Sequence, residues 1–181
     1  MNLMLLVLTS TISLRGGGYV RDDGGYLEHA QTFGWDRIDA SGGAIVEAGT
    51  EIVPRLSVHL SWGSFTSRAS KRLDTLELRS DAVLAHVRWA AWRWERREVM
   101  AQAQISLGGG FYRLSETLDE MQRASSSPGL RAGADVSIYW RWIGFIFGYG
   151  YHYASASVSD QIGGSVAAGG HEVSAGLSVR F

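Results

Sequence analysis

Few residues in this chain carry obvious chemistry. His152 lies beside Ser155 and Ser157 in the segment HYASAS, residues 152–157. A serine activated by a histidine, with an acid to orient the imidazole, would suit acyl-ester hydrolysis. On an extended strand, however, residues two apart share a face. The position two beyond His152 is Ala154, and Ser155 falls on the opposite face. His59, His86 and His152 would supply a zinc set if they converged, but they sit on separate segments without short ligand spacing. Satisfied interior histidines are the expectation, with no metal and no cofactor. The glycine runs RGGGY (15–19) and LGGGFY (107–112) lack the Lys-Ser/Thr that completes a phosphate loop. No cysteine is present, so there is no thiolate nucleophile or ligand. No catalytic residue is predicted.

The remaining candidates are charges, and they fall on segments that alternate. Arg15, Glu47, Glu51, Arg88, Asp135, Arg141, Glu172 and Arg180 each occupy the polar face of a run whose other face is apolar. Residues 43–53 set Ala44, Val46, Ala48 and Ile52 against Glu47 and Glu51. The segment after Pro54 sets Leu56, Val58, Leu60 and Trp62 against Ser57, His59 and Ser61. In 78–92, Val83, Ala85, Val87 and Trp89 oppose His86 and Arg88, although Leu84 breaks the polar face. Residues 99–111, 130–142, 144–156 and 171–181 repeat the pattern, the last with Val173, Ala175, Leu177, Val179 and Phe181 on its apolar side. Residues 4–15 supply an eighth strand, with Leu6, Leu8, Ile12 and Leu14 opposite Thr9, Thr11, Ser13 and Arg15. The apolar run there is too short for a membrane helix and lacks the charged start of a secretory signal, which places any export signal upstream of Met1.

The links alternate in length as well. Those near 54, 93–97 and 142–144 are short; those over 16–40, 65–75, 115–129 and 158–167 are long and polar. Short turns at one end and long loops at the other, over an even number of amphipathic strands, describe an outer-membrane barrel. The expected fold is therefore all-β: a closed, antiparallel, eight-stranded up-and-down transmembrane barrel, with residues 1–181 as one domain.

Composition agrees. Proline occurs twice, while glycine numbers 23 and tryptophan and tyrosine seven each. The formal net charge of −1 gives no reason to expect a nucleic-acid partner. The aromatics sort by height. Trp89, Trp92, Trp94, Trp140, Trp142, Phe145 and Phe181 lie near the short turns; Phe33, Trp35, Trp62, Phe65, Phe111, Tyr151 and Tyr153 lie near the long loops. Two such belts are expected at the two lipid–water interfaces, where an amphipathic ring meets both phases.

On these features the chain resembles the small outer-membrane barrels of the OmpA-transmembrane-domain and OmpX type. The likeness spans nearly the whole chain as a pattern rather than as residue identity. It implies that Phe181, preceded by Val179, Leu177 and Ala175, is read by the barrel-assembly machinery. It further implies outer-membrane lipids as partners, with lipopolysaccharide a candidate among them. Lipid A deacylases of the envelope would need a serine where this chain has Ala154. An interior only wide enough for side chains implies that the eight charged residues neutralise one another. The role expected is structural or surface-interacting and non-enzymatic. A narrow solute path through breakable ion pairs and a lipid A hydrolase remain the alternatives, with a soluble carrier as a further reading.

Overall fold

The computed structural model describes residues 9–21, 31–32, 34–35, 41–71, 74–118, 121–159 and 165–181. Its strands are β1 (Ser10–Arg21), β2 (Ser41–Val53), β3 (Leu56–Lys71), β4 (Asp74–Arg96), β5 (Val99–Leu118), β6 (Met121–Trp140) and β7 (Ile143–Ala154). A small hairpin, β8 (Ser157–Ser159) and β9 (Ser165–Ala167), precedes β10 (Gly170–Arg180). Eight of these form a closed antiparallel barrel in the order β1-β10-β7-β6-β5-β4-β3-β2. Closure joins first strand to last, from Thr11↔Arg180 to Arg21↔Gly170. No backbone edge is left around the ring, as a sheet in hydrocarbon requires.

The alternation read from the sequence sets the two faces. Ile12, Leu14, Val46, Leu60, Val87, Leu107, Ile138, Phe147 and Leu177 are exposed on the outside, Leu107 at 67 %. Their neighbours Ser13, Arg15, Glu47, His59, Arg88, Asp135 and Glu172 are buried inside. Leu6 and Leu8 of the expected first strand, and Phe33, lie outside the described residues.

Among the described residues, three links are tight two-residue turns, at 54–55, 97–98 and 141–142. The last lies at the start of the expected 142–144 link, most of which already belongs to β7. Each turn holds an arginine in the left-handed region: Arg55 (φ 72°), Arg97 (φ 53°) and Arg141 (φ 56°). At the first, Pro54 presets the position before Arg55, the sequence of a type II turn.

The expected long loops at 65–75 and 115–129 are corrected. The chain there is mostly strand: β3 and β4 stay paired up to Lys71↔Asp74, and β5 and β6 up to Leu118↔Met121. Likewise β1 carries RGGGY through to Arg21. Strand lengths are consequently unequal, 23 residues for β4 against 11 for β10. The long β3–β6 strands rise as a wall beyond the barrel mouth. Inside that wall sits an apolar core with Leu76, Leu78, Leu84, Tyr112 and Leu114 on one side. Ala154, Ala156, Val158, Val166 and Ala168 pack against them from β7 and the β8–β9 hairpin.

Candidate functional site

The charged residues inside the barrel come together because strand parity points them there and the register fixes their heights. Arg15 on β1 donates to Glu47 on β2 (Nη2 to Oε2, 2.7 Å) and to Asp135 on β6 (Nη1 to Oδ1, 2.9 Å). From β4, Arg88 Nη2 reaches the same Glu47 Oε2 at 2.6 Å. It also stands 3.3 Å from Asp135 Oδ2, as a charge contact without hydrogen-bond alignment. Arg15, Glu47, Arg88 and Asp135 thus close a four-membered ring of alternating sign across the lumen. Each is almost wholly buried, where an unpaired charge would be expensive. Gly148 makes room for the ring: a Cβ there would overlap the Asp135 carboxylate.

A second layer is built around Glu172. Arg131 Nη2 lies 3.4 Å from its Oε1, Ser174 donates to the same oxygen at 3.0 Å, and His152 Nε2 sits 2.9 Å from Oε2. His152 Nδ1 is in turn 2.9 Å from the Tyr112 hydroxyl, and Arg131 donates to Ser106. Three guanidinium groups, Arg15, Arg88 and Arg131, therefore face three carboxylates, Glu47, Asp135 and Glu172. Arg131 lies on the predicted polar face of β6, yet the expected charge network omits it. Its parity with Asp135 was the signal available.

Glu51 and Arg180 stand lower, at the short-turn mouth rather than in the ring. Glu51 pairs with Arg93 at 3.1 Å, and Arg180 lies 3.6 Å from Glu95, which Arg93 also holds at 2.8 Å. Arg141 corrects the expectation outright. It is not in the lumen: it occupies the β6–β7 turn with its side chain 59 % exposed, donating to Glu98 Oε1 at 2.7 Å. The turn breaks strand alternation, so parity counted from Asp135 no longer applies. The hydrogen bond from Arg141 holds the Glu98 carboxyl below its ordinary range.

The histidines divide. His59 Nδ1 lies 3.1 Å from Glu47 Oε1 and His86 Nε2 lies 3.2 Å from Glu47 Oε2, with the two rings stacked. His152 belongs to Glu172 instead. The ligand atoms of Glu47, His59 and His86 fall within 4.8 Å of one another, close enough to hold a metal ion. Two guanidinium groups already occupy one Glu47 oxygen, however, and they would repel a divalent cation. The ester-hydrolysis constellation is not assembled, since His152 is buried while Ser155 is exposed.

Two small spaces open inside the barrel among the described residues. One cavity, touching Arg15, Arg131, His152 and Glu172, measures about 20 Å³. Another, at the short-turn mouth beside Glu51, His59, Arg93 and Arg180, measures about 40 Å³. A single water needs roughly 10–15 Å³ measured this way, so these spaces suit individual waters.

On the outer surface Trp62, Trp89, Trp92, Trp94, Trp140, Trp142, Tyr151 and Tyr153 are all exposed. Trp89 and Trp92 share a face despite odd spacing because the β4–β5 register slips between Ala90 and Trp92. Such a bulge adds one residue and reverses the parity that follows. Two other aromatics expected in the long-loop belt are corrected. Phe65 shares the parity of inward-facing Ser61 and stacks on Tyr19, and Trp35 is buried in the apolar core. Phe181 is exposed, and its N–H donates to the Ser10 carbonyl at 2.9 Å.

No family model and no curated protein sequence matches the chain. Solved structures do. The outer-membrane protein OprG of Pseudomonas aeruginosa superposes with a TM-score of 0.57 at 13% identity, covering 96% of this chain and 95% of that one. The N-terminal β-barrel domain of OprF from the same organism gives 0.55 at 11%, with 96% and 97% covered. The attachment invasion locus protein Ail of Yersinia pestis, in complex with the heparin analogue sucrose octasulfate, gives 0.54 at 13%, with 96% and 97% covered. With its closed ring, apolar exterior and ion-paired interior, the chain has the fold of the small eight-stranded outer-membrane β-barrels.

Proposed function

We propose that this protein is an integral outer-membrane barrel, one domain over residues 1–181, that neither conducts nor catalyses and acts through its protruding wall. The observation that carries the reading is the double closure of the lumen. A ring of paired charges fills the middle, and an apolar core seals the long-loop end. A conduit would have to break the ring and displace the core together.

The wall supports a surface-interaction role. Its outer face carries both signs of charge, with Arg68 pairing Glu77 at 2.9 Å and Arg79 pairing Asp81 at 3.0 Å. Such a mixed surface suits a protein partner better than a polyanion. The lipid-facing aromatics suit outer-membrane lipids, and the terminal strand ending at Phe181 suits delivery by the barrel-assembly machinery. Planar-bilayer recording tests the reading. No conductance step above background is expected, and sustained channels would overturn the sealed lumen. Lipid A should be unchanged when the protein is expressed; altered acylation would restore the hydrolase reading.

A further inference from the structure

Resting on the membrane reading above, we propose a binding site for one anionic glycerophospholipid on the outer face at the short-turn end, between the β4–β5 turn and Trp140. The groove there measures about 600 Å³ and is lined by Trp94, Arg96, Arg97, Glu98, Val99 and Trp140. Its floor is β5. The register places Arg96 beside Val99, Trp94 beside Ala101 and Trp92 beside Ala103, with Trp140 and Ile138 on the far side. Small β5 residues between larger side chains leave a shallow channel up the barrel surface, where the proposed acyl chain would lie.

The charge lies at the end where a headgroup would sit. The β4 bulge turns Arg96 to the outside, directly below Trp94. Arg97 follows at the tip of the turn, in a backbone conformation that glycine would adopt without strain. Of the other cations at this end, Arg93 is engaged by Glu51 and Glu95, Arg180 by Glu95 and Arg141 by Glu98, and Arg55 sits apart on the β2–β3 turn. Arg96 and Arg97 are exposed and have no ion-pair or hydrogen-bond partner among the described residues. The one acid in the groove is already neutralised. Glu98 accepts from Arg141 at 2.7 Å and from the Trp140 indole N–H at 3.3 Å. Two unpaired guanidinium groups below an apolar channel fit a phosphodiester that bears a chain, rather than a free anion or a neutral lipid.

Native mass spectrometry of the folded protein, released from detergent containing equal phosphatidylglycerol and phosphatidylethanolamine, tests this. Wild type should retain phosphatidylglycerol selectively. Arg96→Gln with Arg97→Gln should lower that retention about 30-fold, from roughly one surface-arginine contribution each. Ala101→Phe, which fills the channel and leaves the charges, should reduce retention as well. Arg55→Gln, a single charge lost at another turn, should leave it unchanged. Equal retention of the two lipids, or an equal loss in Arg55→Gln, would overturn the site. So would displacement of the lipid by millimolar inorganic phosphate, which would mark a free-anion site. Heat-modifiable migration and a requirement for detergent are scored first for each variant. A chain that stays soluble without detergent fails the membrane reading, whereas a folded, detergent-requiring chain without selectivity fails only the site.

Discussion

The lower and upper parts of one sheet are built inside out with respect to each other. In the lower part of β4 the residues facing in are His86 and Arg88 and those facing out are Val83, Val87 and Trp89. In its upper part Leu76 and Leu78 face in, while Glu77, Arg79 and Asp81 face out. Strand parity does not change between the two; only the chemistry of each side does. The changeover falls at one height on three neighbouring strands. Trp62, Val83 and Phe111 form the last apolar row outside, and Ser64, Asp81 and Arg113 form the next row up. Each half hides from its outer medium what that medium solvates poorly. Lipid outside allows a charged interior, and water outside demands an apolar one. The outward side thus records where the membrane ends.

Breaking the lower interior should have the largest effect. Glu47→Ala leaves Arg15 and Arg88 buried with too little countercharge and should destabilise the barrel by about 3–5 kcal/mol, read by urea unfolding in vesicles. Replacing the four ring residues together with apolar ones of similar volume should be far milder, because no lone charge remains. In the upper interior, Leu114→Ala should remove about 2–5 kcal/mol from the wall and its hairpin. Limited proteolysis near β8–β9 would report that loss while the barrel itself stays heat-modifiable. On the outside, Leu107→Arg should lower stability by about 2–4 kcal/mol if that position lies deep in hydrocarbon. Arg79→Ala, above the changeover, should stay within about 1 kcal/mol, as exposed ion pairs do. The smallest effect belongs to the Glu98–Arg141 clamp. Its carboxyl is held low in the folded state, so its contribution is present at neutral pH and fades as pH falls through that lowered value. Arg141→Gln should flatten that slight acid dependence of unfolding.

The same comparison explains what could be read from sequence. Within the lower band, alternation of Val46 with Glu47 or Ile138 with Ser137 states both the strand and its faces. Above it, the stretch from Phe65 to Thr75 mixes serine, arginine, lysine and aspartate and looks like a loop. Its few inward apolar residues, Ala69 among them, are too sparse to announce a strand, because the core they join is assembled from segments far apart in the chain. Leu84 looked like an error on a polar face, yet it marks where the interior begins to turn apolar. The position of Arg141 outside the lumen is not legible in the alternation, because a two-residue turn resets parity. Trp92 and Trp94 share a side with Trp89 only through a bulge that composition does not reveal. The pairing within the charge ring was legible as a balance of signs, but not as a closed circuit, since partners such as Arg15 and Asp135 are 120 residues apart.

A cysteine-free chain allows the changeover to be located directly. Single substitutions Ile105→Cys, Leu107→Cys, Arg113→Cys and Thr117→Cys follow the outward side of β5 from the band into the wall. In lipid vesicles a membrane-impermeant maleimide should label positions 113 and 117 and leave 105 and 107 unmodified, while lipid-borne quenchers should show the reverse preference. Uniform labelling along all four positions, with no quenching at 105 or 107, would mean that water rather than acyl chains meets this face throughout.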